Sequence, residues 1–299
     1  MTLDAVARIR RFNRAVTLEV GALDESFLGR GRPLGAARVL NAVGRRKNDV
    51  AALRACLKLD SGLASRLLRS LEEEGLVVTE PHADDARRRV VRLTAAGEAE
   101  FRVYEELSDA RAAALLGRCR DADAVLAAMD LIAAVLESDR IAVTEVDPAG
   151  PEARFCLGRY YAELDERFEE GFQVGLSRDP DLDDMRRPRG TFLVALSEGM
   201  PLGCVGLKRS GERLAEIKRL WVDRTVRGLD LGRRLARTAE QVARELGIAT
   251  LRLDTNRALT DAIAMYRRWG WTEIDRFNDD PYADYFFEKH IADADSAGP

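Results

Sequence analysis

Two stretches of this chain carry residue types suited to holding a polyanion. The first is ERLAEIKRLWVDRTVRGLDLGRR, residues 212–234. Leu214, Ile217, Leu220, Trp221 and Val222 predict a strand, Gly228 and Gly232 a turn, and the spacing from Leu235 to Leu246 a helix. Strand, glycine turn and helix aim turn amides and the first unpaired N–H groups of the helix at one point, where the helix dipole adds positive charge. A pyrophosphate fits that arrangement. The spacing Arg227-x-x-Asp230-x-Gly232 is not the six-residue glycine fingerprint of dinucleotide domains, and no P-loop lysine follows.

The second stretch is NDVAALRACLKLDSGLASRLLRSLEEEGLV, residues 48–77. It predicts a short helix, a tight turn at Lys58 to Asp60 and a longer helix, the layout of a helix-turn-helix. Leu63, Leu67, Leu68 and Leu71 give the second helix a core face. Ser61, Gly62, Ser65, Arg66 and Arg69 give it an outward one, with small groups for close approach and arginines for guanine edges or phosphates. An ordinary amphipathic helix with a solvated basic face is the competing reading. LVVTE (76–80) and VVRLT (90–94) then form a β-hairpin around PHADDARRR, a basic wing with Arg88 and Arg89 facing DNA or, alternatively, solvent.

The elements around these stretches fall into two groups. Residues 3–20, 33–44, 95–117 and 121–138 read as helices, and IAVTEV opens a second set near residue 140. That set runs through a helix at 155–168, a hairpin at 191–209, the strand 214–222, the long helix, a strand at 248–255, a helix at 259–271 and two terminal strands in WTEIDRF and DYFFEK. The tail ADADSAGP is expected to be disordered. At 299 residues two domains are the prior: a mostly α front half and an α/β, mixed-sheet back half.

Charge and composition narrow the partners. The net charge is −4, yet residues 30–92 hold 14 basic against 8 acidic side chains, so one subregion suits a polyanion and the chain as a whole does not. No apolar run approaches the about 20 residues that cross a bilayer, and the charged N-terminus lacks a signal-peptide core, so no membrane and a cytoplasmic location are expected. Cys56, Cys119, Cys156 and Cys204 are scattered and only His82 and His290 occur, so buried free thiols and no metal site are expected.

Residues 3–138 resemble the MarR family of transcriptional regulators, in the GLV that closes the second helix, the wing DARRRVVRLT (85–94) and AAGEAE after it. The resemblance implies a winged helix-turn-helix over residues 1–140 that binds double-stranded DNA at a pseudo-palindromic operator as a homodimer through its terminal helices. It also implies that Asp85 and Arg87 pair to hold the wing.

Residues 141–291, within a back domain of residues 141–299, resemble the GNAT superfamily of N-acetyltransferases, whose acyl-CoA loop runs Gln or Arg, two residues, Gly, one residue, then Gly or Ala. Arg227 and Gly232 match, Asp230 stands at the middle glycine, and EIKRLWV, LDTN, AIAMYRRWGW and FNDDPYADYFFEK match further family stretches. The resemblance implies acetyl-CoA as co-substrate, no metal, and transfer to a primary amine. Leu220 and Val222 would bind the pantetheine arm through their backbone; amides of Arg227, Gly228, Leu229, Asp230, Leu231, Gly232 and Arg233 would hold the pyrophosphate; Asn256 would contact the arm. Tyr266 is the implied general acid, against a packed core tyrosine, and Glu216 the implied base, against a carboxylate paired with Lys218. A carboxylate at Asp230 repels a neighbouring diphosphate by about 1 kcal/mol in water. A sensor that binds acyl-CoA without catalysis is therefore the alternative, as is a front half that serves only as a dimer scaffold.

Overall fold

The computed structural model describes residues 4–45, 48–82, 85, 88–177 and 182–291. The ADADSAGP tail and Arg87 lie outside the described residues.

In the front unit, helices α1 (Ala5–Glu19), α2 (Leu34–Gly44), α3 (Val50–Leu57) and α4 (Ser61–Glu73) precede the hairpin β1 (Val77–Pro81) and β2 (Arg89–Leu93) and the helix α5 (Ala95–Gly117). Local chemistry sets the corners. Asp49 caps α3 by accepting the Ala52 N–H at 2.9 Å, Lys58 turns the chain at φ 51°, and Asp60 caps α4 by accepting the Leu63 N–H at 2.8 Å. Val39, Leu40, Leu53, Leu71, Val91 and Tyr104 form the core that seats α4 and the hairpin together. On α4 the buried residues are Ala64, Leu68 and Leu71; Leu63 and Leu67, expected inside, are half-exposed.

Gly97 shows how closely α5 meets the hairpin. A Cβ there would lie 1.9 Å from the Leu76 carbonyl oxygen, a backbone atom already accepting the Thr94 N–H at 3.0 Å. Gly97→Ala is expected to destabilise this unit by about 3 kcal/mol, read as a lower urea midpoint at unchanged slope in its unfolding transition.

The back unit is a seven-stranded sheet in the order β3-β4-β5-β6-β7-β9-β8. Its strands are β3 (Ala142–Glu145), β4 (Gly190–Ser197), β5 (Met200–Arg209), β6 (Leu214–Val222), β7 (Thr250–Thr255), β8 (Thr272–Glu273) and β9 (Tyr285–His290). Helix α7 (Pro151–Arg167) packs on one face; α8 (Leu231–Glu245) and α9 (Thr260–Arg268) belong to the other. The unbroken apolar run in β4 follows from this: Phe192 and Val194 enter one core while Leu193 and Ala195 enter the other.

Four expectations change. Helix α7 starts at Pro151, which takes the first helical position, rather than at 155. The first of the two terminal strands is only two residues long. Cys156 and Cys204 are buried as expected, but Cys56 and Cys119 are half-exposed. The compact units divide between Ala122 and Asp123, whereas the sequence suggests a boundary near 140. Helix α6 (Ala122–Leu136) accounts for the difference, because Ala134 is buried in the core of the back unit and Glu137, just after the helix, accepts the Ser197 hydroxyl at 2.6 Å.

Candidate functional sites

Strand β6 is where the site begins. It pairs in parallel with β7 only from Leu214 to Glu216, and beyond that the two strands separate. The separation coincides with a bulge: opposite Cys204 to Gly206 of β5, β6 carries an extra residue, and Arg219 adopts φ 55°. The inserted residue reverses the side-chain parity. Ala215 and Ile217 join the core under α8 before it, and Leu220 and Val222 pack against the same core after it.

Two adjoining cavities lie at the opening. A cleft of about 440 Å³ is lined by Leu220 and Val222 of β6, Arg227, Gly228 and Asp230 to Arg233 of the loop and α8, and residues of α7 and α9. A smaller one of about 120 Å³ is lined by Lys218, Arg219, Asp254, Asn256, Tyr266, Asp280 and the rings of Tyr161, Phe168, Phe172 and Tyr282. Tyr160, Leu164, Leu220, Leu259 and Ala262 line both, which places the junction at their meeting point.

The loop that ends the larger cleft runs from Asp223 to Asp230. Gly228 takes φ 88° and Asp230 takes φ 59°, a left-handed conformation that aspartate tolerates better than most residues. That backbone shape is why a glycine is at home at position 230. The Asp230 side chain is exposed and makes no capping bond to α8, so the first amides of the helix stay open toward the cleft. The Arg227 guanidinium is turned inward: Nε donates to Val222 O at 3.0 Å and Nη2 to Glu163 at 2.6 Å. Of the two positions expected to offer backbone to a pantetheine arm, Leu220 and Val222, the second thus has its carbonyl engaged by Arg227.

Tyr266 lies on α9, one turn after Ala262, with its ring against Trp269, Trp271 and Phe287 at 6.4, 5.9 and 5.8 Å. Burial, with the Asp254 carboxylate adding to it, pushes its phenol above the usual range. Glu216 is buried, with Oε2 3.1 Å from Lys218 Nζ, and borders neither cavity; Lys218 also reaches Asp254 at 2.7 Å. The carboxylates that do line the smaller cavity are Asp280 and, one strand over from Glu216, Asp254, which also accepts from Asn278 at 2.7 Å. Asn256 lines the smaller cavity rather than the larger, its amide spent on Tyr282 O and on the Ala258 N–H, both at 2.8 Å. Asp284 is ion-paired with Arg257.

Sequence reasoning missed Tyr160, Asp254, Asp280 and the ring cluster of Tyr161, Phe168, Phe172 and Tyr282. Their signals were the Tyr160-Tyr161 pair and the polar turn FNDDPY, neither of which follows a spacing rule.

On the front unit Ser61, Gly62, Ser65, Arg66 and Arg69 all lie exposed along α4. The Ser65 hydroxyl is bonded back to Ser61 O at 2.8 Å. Arg88 does not stand free at the wing: Nε and Nη2 donate to Asp49 at 3.1 and 2.8 Å, tying the hairpin to the start of α3. Arg89 is exposed on β2.

A mixed sheet opened between two parallel neighbours, with uncapped helix amides at the end of the opening, makes a cleft suited to a carrier that bears a diphosphate. The Acetyltransferase (GNAT) family model matches residues 157–271, and the MarR family model matches residues 30–88. IAA acetyltransferase of Azospirillum brasilense is 33% identical over 121 residues, 40% of this chain and 78% of that one. The uncharacterized N-acetyltransferase YjgM of Escherichia coli (strain K12) is 31% identical over 114 residues, 36% of this chain and 66% of that one. The solved acetyltransferase of GNAT family from Staphylococcus aureus MU50 is similar over 50% of this chain and 100% of that one, at 19% identity and a TM-score of 0.44. The chain belongs to the GNAT acetyltransferase family and carries a MarR-family segment ahead of the transferase. It is an acetyl-CoA-dependent N-acetyltransferase. Among the described residues no helix is long and apolar enough to cross a membrane, and no group of three or more His, Cys, Asp and Glu is placed to hold a metal ion.

Proposed function

We propose that this protein is a DNA-binding transcriptional regulator and an N-acetyltransferase in one chain, with a primary amine as acceptor. The carrying observation is the pair of cavities meeting beside Tyr160 and Leu220: a long cleft ending on open helix amides, and a smaller chamber with Tyr266 and Asp254 in its wall. In this reading the acyl-CoA lies along β6 with its diphosphate on the amides of residues 227–233, and the acceptor enters past Tyr282 and Phe172. The amine nitrogen attacks the thioester carbon, the C–S bond breaks, and Tyr266 supplies the proton to the departing thiolate. The proton that the attacking amine gives up passes to Asp254 in the lining of that chamber, not to Glu216, which lines neither cavity. The ring cluster favours an amine on an apolar body.

The regulator half of the reading rests on the exposed basic face of α4 beside a hairpin, within a MarR-family segment. Homodimerisation is part of it. Helix α1 buries no residue and leaves Ile9 60% and Phe12 40% exposed, while on α6 Met129 is 42% exposed. The DNA-binding and dimerisation part spans residues 1–140 and the transferase 141–299, with α6 packed on the transferase core.

Calorimetry with acetyl-CoA, release of free CoA across an amine panel, and mobility shift on the protein's own upstream DNA at several salt concentrations test the two activities separately. Binding without turnover across the panel would favour an acyl-CoA sensor, and an affinity indifferent to DNA sequence and salt would remove the regulator. Asp230→Gly gives a sharper check on the cleft. It relieves a left-handed aspartate and removes a negative charge beside the diphosphate, so KM for acetyl-CoA is expected to fall by about three- to tenfold, with kcat unchanged.

A further inference from the structure

Helix α7 presents Arg159, Glu163 and Arg167 at intervals of four, one above another on a single face. Each fastens a different part of the frame around the cleft. Arg159 Nη2 donates to Asp223 at 2.9 Å, and Asp223 in turn accepts from the Thr225 N–H and hydroxyl at 2.9 and 2.8 Å, fixing the start of the phosphate loop. Arg167 donates to Glu163 at 3.2 Å and to Ala258 O at 3.2 Å, on the turn after β7.

Glu163 stands between them, buried, and gathers the most contacts. Its Oε2 accepts from Trp221 Nε1 at 3.0 Å and Arg227 Nη2 at 2.6 Å, and lies 3.5 Å from Arg224 Nε. One carboxylate thus joins the last turns of α7, the end of β6 and both arginines that frame the loop. Through Arg167 it also reaches the opposite side of the opening.

We propose that Glu163 is a positioning residue for acetyl-CoA: with Arg159 and Arg167 it staples the two sides of the β6–β7 opening and holds the phosphate loop in the shape that aims its amides at the diphosphate. It acts through Arg227 and Trp221 and takes no part in proton transfer. Burial pushes the Glu163 carboxyl up, but the bonds from Arg227 and Trp221 overcome that and hold it below the usual range, so the staple keeps its charge at neutral pH.

A competing effect has the opposite sign. Removing the carboxylate uncovers Arg224 and Arg227 beside a diphosphate, which by charge alone would tighten binding. The two roles therefore separate in KM. The proposal rests on the larger cleft being the acetyl-CoA site, so wild-type binding is measured first.

Glu163→Ala and Glu163→Gln are assayed for kcat, for KM of both substrates and for acetyl-CoA Kd by calorimetry, with thermal melts alongside. Glu163→Ala is expected to raise KM and Kd for acetyl-CoA by about tenfold, with kcat and the amine KM changed by less than about threefold. Glu163→Gln keeps an acceptor for Trp221 and is expected to lie between. Should Glu163→Ala not fold, Glu163→Gln and Arg159→Ala, which loosens the same loop from outside the cleft, carry the test with the same direction. Unchanged or lower KM and Kd in a folded variant would overturn the proposal and leave the cleft assignment standing. No acetyl-CoA binding by the wild type would overturn both.

Discussion

Tyr266→Phe is expected to lower kcat by about 10²–10⁴-fold and to leave KM for acetyl-CoA within about twofold of wild type. The ring itself is a packing element against Trp269, Trp271 and Phe287, and phenylalanine keeps that packing. What the substitution removes is the hydroxyl at the wall of the acceptor chamber, one turn beyond a residue that lines both cavities. Burial and Asp254 raise the phenol, so it stays protonated through the neutral range, as the proposed role of acid requires. Because a raised pKa keeps the proton on below it, the loss is expected to be flat with pH from 6 to 9. Steady-state kinetics with a melting curve checks this. A variant with wild-type melting and less than threefold loss in kcat would reduce Tyr266 to a core tyrosine.

Arg66→Ala and Arg69→Ala are each expected to weaken operator binding by about 1–3 kcal/mol, roughly 5- to 150-fold, with acetyl transfer untouched. Both side chains are exposed and three residues apart on α4, so they sit on one face of the helix. The readout that divides their roles is the salt slope: an arginine on phosphate lowers the slope by about one and weakens all sequences alike, whereas one on a base edge relaxes sequence preference. Arg88→Ala is expected to act differently. Its guanidinium is held by Asp49, so the substitution frees the wing from α3 and weakens binding by misplacing the hairpin. Mobility shifts over a salt series, with unchanged affinity in Arg66→Ala and Arg69→Ala together, would exclude α4 as the DNA face.

Much of this protein is written in local spacing. The helix-turn-helix corner at Lys58 to Asp60, the hairpin after it, the strand 214–222 and the helix that follows were legible because capping aspartates, glycines and apolar periods act over a few residues. The turn between that strand and helix was legible for the same reason, and its shape is local too: Gly228 and Asp230 take left-handed backbone and Leu231 opens the helix. Even the aspartate at 230 was visible; that it takes a left-handed backbone and makes no capping bond to the helix was not.

What tertiary structure alone decided is the identity of the groups that meet across elements. Glu216 looked like the base because it lies on the strand beside the loop, but it is buried, paired with Lys218, and lines neither cavity. Asp254, from a neighbouring strand, lines the smaller cavity where Glu216 does not, and Arg88 is claimed by an aspartate 39 residues away. The extent of the back unit likewise depends on Ala134 being buried, which the apolar stripe of α6 does not reveal. The physical reason is the same in each case. Periodicity and capping fix the direction a side chain takes from its own element, while a charge's partner, a register shift and a buried face are settled by whichever residues, distant in sequence, pack opposite.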